Sequence, residues 1–94
     1  MFVGLMEIKL RINVQVSSLK DKRRIVKGLK DRLRNSFNLS VSETDTLDSF
    51  YTAELGFSTV SNDKKMIDGI LSKALHSIEK TGTVTIEEVK TEIL

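Results

Sequence analysis

Residues 2–16 read FVGLMEIKLRINVQV, and residues 17–37 read SSLKDKRRIVKGLKDRLRNSF. In the first stretch Phe2, Gly4, Met6, Ile8, Leu10, Ile12, Val14 and Val16 share one face, with Glu7, Lys9, Arg11, Asn13 and Gln15 on the other. A period of two predicts a strand with one buried face. Val3 and Leu5 place apolar side chains on the polar face at its start, which predicts cover on both sides there. In the second stretch the period changes to 3.6, and Leu19, Val26, Leu29, Leu33 and Phe37 line one side of a helix. Ser17 or Ser18 supplies its N-cap, because a hydroxyl there satisfies an early helical amide. Asn38 is the predicted stop.

Further along the chain, Leu39 and Val41 mark a second strand to about Glu43, and residues 44–48, TDTLD, read as a turn. A third strand spans Ser49 to Val60, with Tyr51, Ala53, Leu55 and Phe57 facing inward. Ser61 or Asn62 caps a second helix whose apolar stripe is Ile67, Ile70, Leu71, Ala74 and Ile78. Gly82 sits where a left-handed C-cap is expected. Thr83 to Leu94 is β-rich, and its apolar parity shifts between Ile86 and Val89, which predicts a bulge near Glu87–Glu88. The order is β-α-β-β-α-β. With right-handed crossovers the two halves interleave into a four-stranded antiparallel sheet with both helices on one face. The predicted fold is α+β, a ferredoxin-like plait, formed as a single domain over residues 1–94.

Composition sets outer limits. A chain of 94 residues with 39% apolar and 30% charged side chains suits one small globular core. The lack of cysteine excludes disulfides, thiolate metal sites and thiol nucleophiles. A strand opening at Phe2 leaves no room for a leader, and no run approaches the roughly 20 apolar residues of a membrane span. The expectation is a cytoplasmic protein without membrane contact. Its net charge of +2 is unevenly spread. From Lys20 to Arg34, eight basic residues face only Asp21 and Asp31, a local charge of +6 that leaves −4 for the rest. Such asymmetry points to a partner surface.

Several stretches together resemble a known family. Ser18-Leu19-Lys20-Asp21-Lys22-Arg23-Arg24 opens the basic helix, and Leu29-Lys30-Asp31-Arg32-Leu33-Arg34-Asn35 continues it. Phe37-Asn38-Leu39-Ser40-Val41-Ser42-Glu43 follows, and Val60-Ser61-Asn62-Asp63 precedes the second helix. The chain resembles the YlxP-like family of bacterial proteins, a domain-of-unknown-function family, along essentially its whole length. The resemblance implies a ferredoxin-like plait, no established enzymatic activity, and genes often found near those for transcription elongation, translation initiation and ribosome maturation factors. One departure stands out: many relatives carry Trp and Gln in the third strand, where this chain has Phe50 and Tyr51.

The basic helix carries the candidate site. At 100° per residue, Arg23, Lys27, Lys30 and Arg34 fall within about a quarter-turn, and Lys20 and Arg24 extend that stripe at its N-terminal end. Like charges at i,i+4 repel by a few tenths of a kcal/mol, and Lys20–Arg24, Arg23–Lys27 and Lys30–Arg34 are three such spacings. Lys27–Asp31 offsets only part of that repulsion. The functional expectation is a track for RNA phosphates or for the acidic patch of a ribosome-bound factor. The alternative is a solvated helix face.

Other features point elsewhere or nowhere. Outward positions of the third strand hold Phe50, Thr52, Glu54, Gly56 and Ser58, a single aromatic, so base stacking on the sheet is not expected. Val3, Leu5 and Phe50 instead suggest a subunit contact, and a homodimeric interaction module is the competing expectation. Acylphosphatase chemistry on this fold needs a glycine-rich loop after the first strand, but residues 13–18, NVQVSS, contain no glycine. His76 is the lone histidine and has no partner at metal or triad spacing. Asp45 and Asp48 are a candidate carboxylate pair by spacing, but turn chemistry explains them adequately. No catalytic residue, metal ligand or cofactor is expected.

Overall fold

The structure is a computed structural model, which describes residues 1–45 and 49–94. Six elements follow in order: β1 (Phe2–Ile12), α1 (Leu19–Phe37), β2 (Ser40–Asp45), β3 (Thr52–Ser61), α2 (Lys64–Glu79) and β4 (Val84–Ile93). All neighbouring strands are antiparallel, and the sheet order is β2-β3-β1-β4. This is the ferredoxin-like plait. Met6, Ile8, Leu10 and Ile12 of β1 meet Ala53, Leu55 and Phe57 of β3 in the core. Val26, Leu29 and Leu33 of α1 and Ile67, Leu71, Ala74 and Ile78 of α2 close over them.

The helix termini follow capping chemistry. Ser18 Oγ accepts from the Asp21 amide at 3.2 Å, and the Asp21 carboxylate accepts from the Ser17 amide and hydroxyl in return. Both ends of this reciprocal clasp satisfy donors that would otherwise be orphaned. Asn38 ends α1 in the left-handed region at φ 52°, with its amide on the Arg34 carbonyl. Gly82 also takes a positive φ of 72°. For α2 the cap is Asp63, not Ser61 or Asn62: its carboxylate accepts from the Lys65 amide at 2.9 Å. Ser61 serves one step earlier, accepting from the Asp63 amide.

Two strands are shorter than their alternation predicts. Residues 13–16 leave the sheet after Ile12, whose amide goes to the Tyr51 carbonyl, and Asn13 turns to Thr83. Val14 is exposed while Val16 drops back into the core, so this connection mimics strand alternation. Tyr51 lies before β3 and is exposed, not inward; its hydroxyl donates to the Val16 carbonyl at 3.2 Å and pins the connection. Ser49 and Thr52 share a hydroxyl contact of 2.6 Å at the same corner. Thr44 and Asp45 belong to β2, not to a turn, and Asp48 lies outside the described residues.

The expected bulge is present. Lys9 faces Glu88 and Leu10 faces Ile86, so Glu87 is the extra residue of β4. Its side chain reaches Arg11 at 2.8 Å on the outer sheet face. A second irregularity occurs in β2, where Glu43 faces Leu55 but Asp45 faces Glu54. Thr44 is the residue left over.

Gly4 is where α2 comes closest to the sheet. A Cβ there would overlap the Ile67 Cγ2 methyl and lie 3.2 Å from Leu71 Cδ1. Both neighbours are buried, so neither can swing clear. Gly4→Ala is therefore expected to destabilise the fold by about 1–3 kcal/mol, the usual cost of overpacking a tight core. Urea unfolding should show a lower midpoint at unchanged slope. A neutral substitution would mean that the helix sits higher above β1 than described.

Candidate nucleic-acid interface

The orientation of α1 is set by an unusual core position. Lys22, Val26, Leu29 and Leu33 form its buried line, and Lys22 is 0% exposed. Its Nζ lies 2.5 Å from Glu43 Oε2, on the inward-facing side of β2 after Leu39 and Val41. Glu43 is itself 6% exposed at its side chain. Burying either charge alone is strongly unfavourable, whereas the pair satisfies both. One of the eight cations of the basic segment is thus structural and takes no part in its surface.

The opposite flank carries the six residues of the predicted stripe. Taken around the helix, Lys30, Arg23, Arg34, Lys27, Lys20 and Arg24 succeed one another over about 120°. They are grouped on one side, but their surroundings differ. Lys27 Nζ holds Asp31 at 2.7 Å, and Arg34 Nη1 approaches the same carboxylate at 3.9 Å. Arg34 Nη2 also donates to the Val41 carbonyl at 2.8 Å, covering part of β2, an edge strand. Arg32, outside the stripe, donates from Nε to Ser77 of α2 at 2.8 Å.

Lys20, Arg23, Arg24 and Lys30 have no hydrogen bond or ion pair among the described residues. Lys20 and Lys30 are ten residue steps apart, or about 15 Å along the axis. Lys20 lies in the first turn, where the helix dipole is positive and a cation is disfavoured. Asp21 gives only through-space relief: hydrogen bonds from the Ser17 side chain and amide lower its pKa first, then the Arg24 and Lys20 charges. Asp31 is lowered first by its hydrogen bond from Lys27, then by the Lys27, Arg34 and Lys30 charges. Both acids stay ionised at neutral pH. The small stability that each contributes is present above its ordinary pKa and is lost as pH falls through the lowered value.

The outer sheet face contrasts with this flank. Lys9 lies between Glu54 at 3.5 Å and Glu88 at 3.9 Å, and Arg11 holds Glu87. Lys9 and Arg11 are thus answered by local acids. At one end of that face Val3 pairs with Val60 of β3 and exchanges backbone hydrogen bonds with Leu94. Phe50 lies beyond the other end, before Thr52, which faces Arg11. Val3, Leu5 and Phe50 therefore do not form one patch; Val60 and Leu94, which were not part of the expected subunit contact, are the neighbours of Val3. His76 is exposed on α2. Among the described residues no group of three or more His, Cys, Asp or Glu side chains is arranged to hold a metal. Nor, among the described residues, is any helix long and apolar enough to cross a membrane.

Lys22 and Glu43 were also missed by the sequence reading, although a signal existed. Lys22 lies four residues before Val26 on the apolar line, and Glu43 continues the inward alternation of Leu39 and Val41. One opposite charge at an inward position of each adjacent element is the mark of a buried pair.

Comparison with known proteins agrees with this architecture. The chain belongs to the family described as "Protein of unknown function (DUF503)", whose model matches residues 3–91. It is 29% identical over 75 residues to "Uncharacterized protein YlxP" of Bacillus subtilis (strain 168), covering 80% of this chain and 82% of that protein. A de novo designed protein with a ferredoxin fold, LFR1 1, superposes with a TM-score of 0.60 at 21% identity, over 98% of this chain and 88% of the design. "Structural Genomics, protein YJCS" superposes with a TM-score of 0.57 at 11% identity, over 96% of each chain. At these identities the likeness is one of fold.

Breaking the buried pair from either side leaves an unanswered charge or polar group in the core. Lys22→Met and Glu43→Gln are each expected to cost about 3–5 kcal/mol in denaturant unfolding. The double replacement Lys22→Met with Glu43→Leu should recover most of that loss, since a packed apolar pair avoids desolvation. Single and double variants with equal stability would show that the charges are not coupled.

Proposed function

We propose that this DUF503 chain is a non-enzymatic accessory protein that binds RNA through the basic flank of α1, in the setting of the ribosome. The observation that carries this reading is the set of four cations, Lys20, Arg23, Arg24 and Lys30, without hydrogen-bonded acceptors among the described residues. Glu54, Glu88, Glu87 and Glu43 are engaged elsewhere, by Lys9, Arg11 and Lys22. A helix that keeps uncompensated like charges three and four residues apart accepts a small stability cost, which an anionic partner would reverse. Arg23 and Arg24 offer forked donors suited to phosphate oxygens, and Lys20 and Lys30 offer mobile point charges. Such contacts fix position on a backbone and read no sequence. The gene neighbourhood implied by the family resemblance supports ribosomal RNA as the backbone in question.

Lys27 and Arg34, nominated with these four, contribute to the field but are already engaged by Asp31. Four phosphate contacts predict a log–log salt slope of roughly −3 for single-stranded RNA, about −0.7 for each contact. Replacing Lys20, Arg23, Arg24 and Lys30 with Gln should abolish most of that slope and weaken binding at every salt concentration. Titrations by fluorescence anisotropy at several salt concentrations would measure both. An unchanged slope in the fourfold variant would remove the flank from consideration.

A second reading has an observation of its own. Val60 and Leu94 are each 61% exposed beside the half-buried Val3 on the outer sheet face. Open apolar sheet surface suits a self-complementary two-fold contact. On this reading light scattering across a dilution series should show a dimer that Val60→Lys converts to a folded monomer. A wild-type monomer at all concentrations would dismiss it.

A further inference from the structure

Beside the free cations lies a groove of about 390 Å³ between α1 and the turn joining α2 to β4. Ile25, Gly28 and Leu29 line it from the helix, and Thr81 and Thr83 line it from the turn. Arg24 and Arg32 complete it, one helical turn to either side of Gly28. The Arg32 Nε bond to Ser77 holds one guanidinium in place beforehand. Thr81 and Thr83 have their hydroxyls tied to each other and, for Thr81, to the Ile78 carbonyl, so this wall offers shape more than hydrogen bonds.

Gly28 is the informative residue. It sits within a 19-residue helix, where glycine is among the poorest helix formers. Its φ is not positive, and beyond the adjoining backbone of its own helix no atom lies within 4 Å of where a Cβ would stand. Neither backbone conformation nor packing asks for glycine there. What the missing side chain does is keep the groove open between the two arginines.

We propose that this groove receives one unstacked base of a single-stranded RNA whose phosphates lie along Lys20, Arg23 and Arg24. The inference rests on the RNA reading above and deepens it. The chemistry is complementary in two respects. An apolar lining accepts the flat face of a base, and arginine planes stack on bases while also meeting the flanking phosphates. The volume lies at the lower end of small-molecule pockets, too large for a lone phosphate oxygen cluster and suited to one nucleotide. Arg24 belongs both to the cation row and to the groove, so a strand tracked along α1 delivers its next base directly.

The test compares a short single-stranded RNA with an abasic strand of the same length and charge. Wild-type protein should bind the base-bearing strand about tenfold more tightly. Gly28→Leu fills the groove without altering charge and improves helix propensity, so it should fold at least as well as wild type. It should retain abasic-strand affinity and salt slope but lose the tenfold preference. Preserved preference in Gly28→Leu overturns the groove assignment while leaving phosphate binding intact. Failure of wild type to bind either strand overturns the RNA reading and the groove together. Displacement of the base-bearing strand from wild type, but not from Gly28→Leu, by an acidic peptide with apolar side chains would assign the groove to a protein partner.

Discussion

The ion pair between Lys22 and Glu43 decides which way α1 faces. An amphipathic helix held only by Val26, Leu29 and Leu33 can roll by some tens of degrees, because apolar packing is not directional. A lysine that is fully buried, with its ammonium 2.5 Å from the Glu43 carboxylate, is held in one orientation. Glu43 in turn is fixed by its register in β2, where it stands opposite Leu55. The pair therefore ties the rotation of the helix to the register of an edge strand. Every other cation on α1 acquires its direction from that constraint.

That constraint divides the basic segment by role. Lys22 becomes structure, and Arg32 braces α1 against α2. Arg34 covers a backbone carbonyl of β2 while sharing Asp31 with Lys27. What remains outward is Lys20, Arg23 and Arg24 in the N-terminal half of the helix, and Lys30 just past its middle. The +6 of the primary structure overstates the surface charge, but Lys20, in the first turn, sits where the dipole of the helix adds to its field.

Local patterns were legible where one chemical signal had one structural meaning. The change of period at Ser17, the left-handed stop at Asn38 and the parity shift around Glu87 each correspond to a feature of the fold. Alternation misled at residues 13–16, because Val16 returns to the core from a connection that has already left the sheet. The bulge at Thr44 was hidden because residues 42–45, SETD, are all polar and have no apolar parity to break. At Asp63 the ionised acceptor displaced two neutral candidates beside it. The stripe was legible as a grouping, since helical geometry alone sets it. Which of its members are engaged was not, because Val41 comes from another element and the burial of Lys22 depends on Glu43. The groove was still less legible: Gly28 and Thr81 are more than 50 positions apart.

The edges of the sheet limit how this fold can meet a partner. β2 presents an edge partly covered by Arg34, and its bulge at Thr44 interrupts the ladder. β4 carries its own bulge at Glu87 and a run of exposed residues, with Glu88, Lys90 and Glu92 among them. Bulges and charges are the usual means of keeping sheet edges from pairing with other chains. With both edges so treated, strand addition is the least favourable route to association. Two surfaces remain, the apolar end of the outer sheet face and the solvent side of α1. Of these, only α1 combines unanswered charge with a concave apolar lining, and Gly28 lies within that lining between Arg24 and Arg32. A solvated helix face explains the charges alone; it does not explain an apolar groove set between two arginines.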